Sequence, residues 1–212
     1  MKKIVVLISG TGTNLQAIMD ACATADIHAE VAAVISNRAS AFGLERAKTA
    51  KIPTALFERQ DFADNGAMDR AIGDYIEKIG ADLIVLAGYM KILSESFVTR
   101  FAGKILNIHP SLLPKYKGLH TYRQALNAGD SEHGTTVHFV TAELDSGAII
   151  LQAKVPIFAG DDIADIEARV KTQELRIYPL AVKWFIDGRL QEIDGKAYLD
   201  GKLLPEKGYA DE

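Results

Sequence analysis

Two short stretches of this chain carry residue types suited to binding an anion and to meeting a ligand with polar side chains. Ser9-Gly10-Thr11-Gly12-Thr13-Asn14 follows directly on the apolar run Ile4 to Ile8, and Leu15, Ile18 and Met19 then begin a helical pattern. A strand, a glycine-bearing loop and a helix in that order present backbone N–H groups at the positive end of a helix dipole, and glycine lets the chain come close to a phosphate. The plainer reading is a tight turn in which Thr13 or Asn14 caps the helix. A dinucleotide fingerprint would want a third glycine where Leu15 stands and an acidic residue ending the second strand, which here ends in Ser36-Asn37-Arg38. The Gly-Lys-Ser/Thr of a nucleotide-triphosphate loop is absent. A single phosphate monoester therefore fits better than NAD or ATP. The second stretch is Asn107-Ile108-His109-Pro110-Ser111, where Asn107 and His109 alternate with Ile108 and so leave one face of an extended segment together. An amide and an imidazole at a strand end stand where ligands bind in open α/β sheets; the alternative is a turn cap and a satisfied surface histidine.

Both stretches depend on the strands that deliver them. Ile4 to Ile8, Val31 to Ile35, Thr54 to Phe57, Leu83 to Ala87 and Ile105 to Ile108 are short, β-branched and nearly continuous in apolar character, with helix-length segments between them. Such a pattern predicts parallel strands buried on both faces and joined by right-handed crossovers. In sheets of that kind ligands bind outside the carboxyl ends of the strands, where the loop after Ile8 and the Asn107 cluster both fall. Beyond residue 130, Thr135 to Val140 and Ala148 to Val155 read as two strands around Glu143-Leu144-Asp145-Ser146-Gly147. From Asp161, a helical stripe of Ile163, Ile166, Val170, Ile177, Ala181 and Trp184 runs to a stop at Asp187-Gly188. The tail from Asp194 reads as a hairpin with Gly195, Gly201 and Gly208 as turns. The expected fold is a Rossmann-like, doubly wound, mostly parallel α/β sheet with an antiparallel C-terminal edge. It is expected as a single domain over 1–212, with a phosphate-binding half (1–110) and a second half (111–212).

Composition narrows the class of function. At 212 residues, 48% hydrophobic and 25% charged, the chain reads as an ordinary globular protein. A net charge of −4 speaks against a nucleic-acid surface. Cys22 is the single cysteine, which excludes an internal disulfide and a thiolate metal cluster, fits a reducing cytoplasm and reads as packing. The apolar run after Met1-Lys2-Lys3 is broken by Ser9-Gly10 and is too short for a signal peptide, and no segment reaches the roughly 18 apolar residues of a membrane span.

Taken together, Ser9 to Gln16, Ala87 to Leu93, Asn107 to Thr121 (NIHPSLLPKYKGLHT) and His133 to Gly147 (HGTTVHFVTAELDSG) closely resemble the glycinamide ribonucleotide formyltransferases. The likeness extends to Gln173-Glu174 and Ile177-Tyr178-Pro179-Leu180, and so covers nearly the whole chain. The resemblance implies formyl transfer from 10-formyltetrahydrofolate to the amine of N1-(5-phospho-D-ribosyl)glycinamide in de novo purine biosynthesis, with no metal. It makes Asn107, His109 and Asp145 the catalytic trio. Gly12, Thr13 and Asn14 would hold the acceptor's phosphate, and Glu174 its ribose or amine. Met90, Lys91, Ile92 and Leu93 would wall the folate pocket, with Val140 to Asp145 reading the pterin ring, while Ser111, His120 and His138 would support the site. Each of these has a plainer alternative: helix-entry packing for 90–93, a solvated helix position for Glu174, a loop cap for Asp145. Lys91 stands where relatives often carry Arg, and Asn65 where some place an Arg near the folate tail.

The chemistry implied is acyl transfer, in which an amine attacks the formyl carbon and a tetrahedral oxyanion forms. Asn107 and a charged His109 would stabilise that oxygen, and the Asp145 carboxylate would sustain the charged imidazole and relay a proton. Rival expectations are a methionyl-tRNA formyltransferase, a formyltetrahydrofolate hydrolase and a noncatalytic ligand-binding module. The first should bring a further basic domain, the second has no need of the Gly10 to Asn14 loop, and the third predicts binding without turnover. Small-molecule substrates, neither nucleic acid nor membrane as partner, a cytoplasmic location and a monomer or homodimer complete the expectation.

Overall fold

The structure, a computed structural model, describes residues 1–210. Its backbone divides into two compact units, the first Met1 to Asn107 and the second from Ile108 onward.

In the first unit β1 (Lys2–Ile8), β2 (Ala29–Ser36), β3 (Thr54–Leu56), β4 (Leu83–Leu86) and the start of β5 (Ile105–His109) lie in the order β3-β2-β1-β4-β5, with every pairing parallel. Consecutive residues of β1 from Ile4 to Ile8, and all of β4, are buried. Side chains alternate across a strand, so unbroken burial requires cover on both faces. The helices between these strands are α1 (Thr13–Ala23), α2 (Phe42–Thr49), α3 (Asn65–Ile79) and α4 (Glu95–Arg100), of which α1 and α2 pack on β2. Helix α3 shows how locally these elements are specified. Asp64 caps it by accepting from the Ala67 amide at 2.7 Å, Met68, Ile72 and Ile76 form its inward stripe, and Gly80 closes it with φ 76.

The second unit is built on α5 (Thr121–Asn127), β6 (Glu132–Phe139), β7 (Ile149–Pro156) and the long α6 (Ile163–Ile186). Strands β6 and β7 pair antiparallel, and α6 packs against both. Asp162 and Asp165 form a reciprocal capping box at the start of α6. Its buried stripe includes Ile166, Val170, Ile177, Ala181 and Trp184 as anticipated, and adds Glu174, Tyr178 and Val182; Ile163 is only partly buried. The tail begins earlier than its glycines indicate. It is a three-stranded antiparallel sheet of β8 (Leu190–Ile193), β9 (Lys196–Leu199) and β10 (Lys202–Leu203), because buried Leu190 pairs with Leu199 and draws the segment before Asp194 into the sheet. The observed class is thus Rossmann-like α/β, with a mostly parallel sheet and antiparallel strands toward the C-terminus.

Candidate active site

The loop after β1 is shaped by two glycine backbones in contact. Gly12 occupies the N-cap of α1 at φ 75, and a Cβ on it would stand 2.8 Å from the Cα of Gly43 in α2. Gly43 donates its amide to the Gly10 carbonyl at 3.0 Å, and Arg46 Nε donates to the Thr11 carbonyl at 2.7 Å. No side chain caps α1, and no acidic residue lies in its first turn. The N-cap position of α1 is thus a glycine and not Thr13 or Asn14, and Thr13 in the first turn is exposed. Ser9 anchors the loop from beneath: its hydroxyl donates to Asn37 Oδ1 at 2.6 Å and accepts from the Met90 amide at 2.7 Å.

That last bond ties the loop to the segment leaving β4. Within it Met90 and Ile92 are solvent-facing, at 54% and 67% exposure, while Tyr89 and Leu93 turn inward. Leu93 thus packs into the core, and the open apolar surface belongs to Met90 and Ile92. Lys91 is mostly covered, its ammonium 2.5 Å from Asp69 Oδ1. Asn65 is exposed at the first position of α3.

Strand β5 carries Asn107 and His109 two residues apart, and hence on the same face. His109 is buried, and its Nε2 donates to the Tyr116 carbonyl at 2.8 Å, which places a hydrogen on that nitrogen since a carbonyl only accepts. Its Nδ1 lies 3.5 Å from Asp145 Oδ2. Thr135 Oγ1 donates to the His109 carbonyl at 3.0 Å and fixes the end of the strand. Asp145 sits at φ 50, a left-handed conformation that aspartate tolerates better than most residues. Its Oδ2 also accepts from the Gly118 amide at 2.9 Å, and its Oδ1 is 3.9 Å from His138 Nε2. Gly147 makes this turn possible, because a Cβ there would fall on the Phe139 carbonyl oxygen. Beside the turn is a cavity of about 230 Å³ whose lining includes Leu113, Lys117, Asp145, Ser146 and Lys207.

His138 donates from Nδ1 to the Phe139 carbonyl at 2.8 Å. Burial pushes its pKa below the ordinary histidine value, with that hydrogen bond and Asp145 opposing the shift. Ser111 is buried and donates to the Lys115 carbonyl at 2.6 Å, bracing the turn after β5, whereas His120 is exposed at the N-cap of α5 and makes no capping bond. Glu174 is buried in α6 rather than on a solvated face, and its charge, after burial itself, raises the pKa of Tyr122. Val140 is half-buried at the end of β6. The Cys22 thiol is pushed up to about 11 by burial, in keeping with packing. Among the described residues no group of three or more His, Cys, Asp and Glu could hold a metal ion, and no helix is long and apolar enough to cross a membrane. The contacts that sequence reasoning missed are the Tyr116 carbonyl, the Gly118 amide and the Asp69 carboxylate. The first two are backbone groups, which no residue type announces.

Residues 2–182 match the model of the formyl transferase family. The chain belongs to that family. It is similar to the phosphoribosylglycinamide formyltransferase of Haemophilus influenzae, 65% identical over 212 residues that span all of both chains. It is also similar to the trifunctional purine biosynthetic protein adenosine-3 of Drosophila melanogaster, 46% identical over 189 residues, which are 88% of this chain and 14% of that protein. Among solved structures, the phosphoribosylglycinamide formyltransferase of Coxiella burnetii superposes with a TM-score of 0.94 at 45% identity, over 98% of each chain. In this formyl transferase a histidine and a carboxylate stand side by side at the end of β5, a pairing that can donate a hydrogen bond and carry a proton.

Proposed function

We propose that this chain is an enzyme that transfers a formyl group from 10-formyltetrahydrofolate to the amine of N1-(5-phospho-D-ribosyl)glycinamide, a step of purine biosynthesis. The single observation that carries the chemistry is His109 Nδ1 facing Asp145 at 3.5 Å while the opposite ring nitrogen holds a hydrogen. The acceptor's amine attacks the formyl carbon, and a C–N bond forms as the carbonyl oxygen takes the negative charge. The His109 Nε2–H and the Asn107 amide are the donors offered to that oxygen. In the structure this His109 hydrogen is given to the Tyr116 carbonyl, so the oxyanion replaces one acceptor with another. Asp145 takes a proton from the attacking nitrogen, directly or through water, and the proton is delivered to the donor's leaving nitrogen as its bond to the formyl carbon breaks.

The start of α1 at Gly12, Thr13 and Asn14 takes the acceptor's phosphate, and Glu174 takes its ribose or amine. The apolar surface of Met90 and Ile92 and the backbone from Val140 to Asp145 take the folate ring, with Leu93 packed behind. Ser111, His120 and His138 support the site. One formyltransferase domain over 1–212, small molecules as its only partners, no metal, a cytoplasmic location and a monomeric or homodimeric state belong to the same reading. The test follows donor deformylation with and without glycinamide ribonucleotide. Turnover that requires the acceptor and falls by about 10²- to 10⁴-fold in Asp145→Asn is expected for a general acid–base group. Acceptor-independent turnover would make the protein a hydrolase, and tight binding without turnover a noncatalytic module.

A further inference from the structure

The strongest unassigned feature is a buried acid on α3. Asp69 is 1% exposed, yet its two carboxylate oxygens serve different parts of the segment that leaves β4. Oδ1 holds the Lys91 ammonium at 2.5 Å, and Oδ2 accepts from the Ser94 amide at 2.7 Å. Ser94 in turn caps α4 by accepting from the Phe97 amide at 3.2 Å. On the other side of the pair, Met90 is pinned through its amide to Ser9. Residues 90–94 are thus fixed at three points, the Met90 amide, the Lys91 side chain and the Ser94 amide, and between them Met90 and Ile92 are left facing solvent. Tyr89 is drawn into the same cluster: burial first and the charge of Asp69 second raise the pKa of its hydroxyl.

We infer that Asp69 and Lys91 are positioning residues for the formyl donor, a buried ion pair that holds the apolar wall of Met90 and Ile92 in its open presentation. Lys91 then acts through this pair and not as a surface cation for the donor's glutamate tail. The physical ground is availability. An ammonium already engaged by a buried carboxylate would have to give up that partner, and leave the carboxylate uncompensated, to meet an anion elsewhere. A carboxylate that bonds a side chain and a backbone amide three residues apart also fixes the intervening chain, which a surface ion pair does not. The inference rests on the donor assignment made above for Met90 and Ile92.

The test measures donor KM, acceptor KM and kcat for Asp69→Asn, Lys91→Met and the double variant, using monoglutamyl and triglutamyl 10-formyltetrahydrofolate. A displaced binding wall is expected to raise donor KM on the order of tenfold in each single variant, by the same factor for both donors, with acceptor KM and saturated kcat retained. The double variant is expected to match a single one, because the two residues act as a unit. A Lys91→Met loss that grows with glutamate number, beside an unaltered Asp69→Asn, would overturn the inference and make Lys91 a tail contact. Amide hydrogen exchange across residues 88–94 provides an arm independent of catalysis. Faster exchange there in the variants supports the pinning even if wild-type protein fails to transfer formyl, and unchanged exchange refutes it.

Discussion

Asp145 receives a hydrogen bond from the Gly118 amide, faces His109 and stands near His138, all in a buried turn. A carboxylate so placed cannot rotate freely, which is the condition for moving a proton with little reorganisation. The two histidines beside it are not equivalent. His138 gives its Nδ1 hydrogen to a backbone carbonyl and is kept neutral by burial, while His109 sits at the strand end beside Asn107. Asn107 is the second donor assigned to the oxyanion. Asn107→Ala is expected to lower kcat by about 10²- to 10³-fold with substrate KM values little altered, since the lost interaction is made in the transition state. Steady-state kinetics check this, and an effect confined to KM would move Asn107 from catalysis to binding.

Turns and loops place these residues more than strands do. The β6 to β7 connection bends sharply enough to seat Asp145 only because Gly147 lies against the Phe139 carbonyl, where no Cβ fits. Gly147→Ala is expected to cost about 2–3 kcal/mol through this overpacking, a fall of roughly 4–12 °C in Tm for a chain of this length. Calorimetry of the variant measures it; an unchanged Tm would mean that the turn relaxes without cost. The same logic of backbone approach governs the loop after β1, where Gly12 and Gly43 pack Cα against Cα at the start of α1. A side chain at either position would push the helix away from the ligand assigned to it.

The acid limb of the whole protein's stability follows from two buried histidines. His133 and His138 both have pKa values below the ordinary 6.5, in each case chiefly through burial. In the unfolded chain they take up protons near 6.5, whereas in the folded chain they resist until lower pH. Between those values the unfolded state binds more protons, so stability is complete above about pH 6.5 and declines as pH falls through the window below it. Glu192, raised by burial, works in the opposite sense, adding stability as pH falls through the window that extends upward from 4.5. Urea midpoints are expected to drop between pH 7.5 and 5.5, and a His133→Gln, His138→Gln double variant to flatten the slope. A flat wild-type profile would contradict the assignment of these two groups.

Much was legible in the chain before any coordinates. Burial on both faces gives nearly continuous apolar runs, which is why the strands from Ile4 to Ile8 through Ile105 to Ile108 could be read off directly. The α6 stripe was equally plain, because a 3.6-residue period survives in sequence. Asn107, His109 and the Gly10 to Asn14 loop declared themselves by residue type and by their place after strands. Tertiary structure alone decided the rest. Which residue takes the N-cap of α1 depended on the path forced by Gly12 against Gly43, two residues far apart in the chain. Leu93 and Ile92 read alike as apolar neighbours, yet one packs inward and the other faces solvent. Lys91 reads as one of four pocket-wall residues, and its partner Asp69, 22 positions earlier, is named only by the fold. Composition and periodicity are local and summed along the chain, whereas the partner of a charge, the acceptor of a ring hydrogen and the direction of a helix end are set by distant backbone, which only folding brings near.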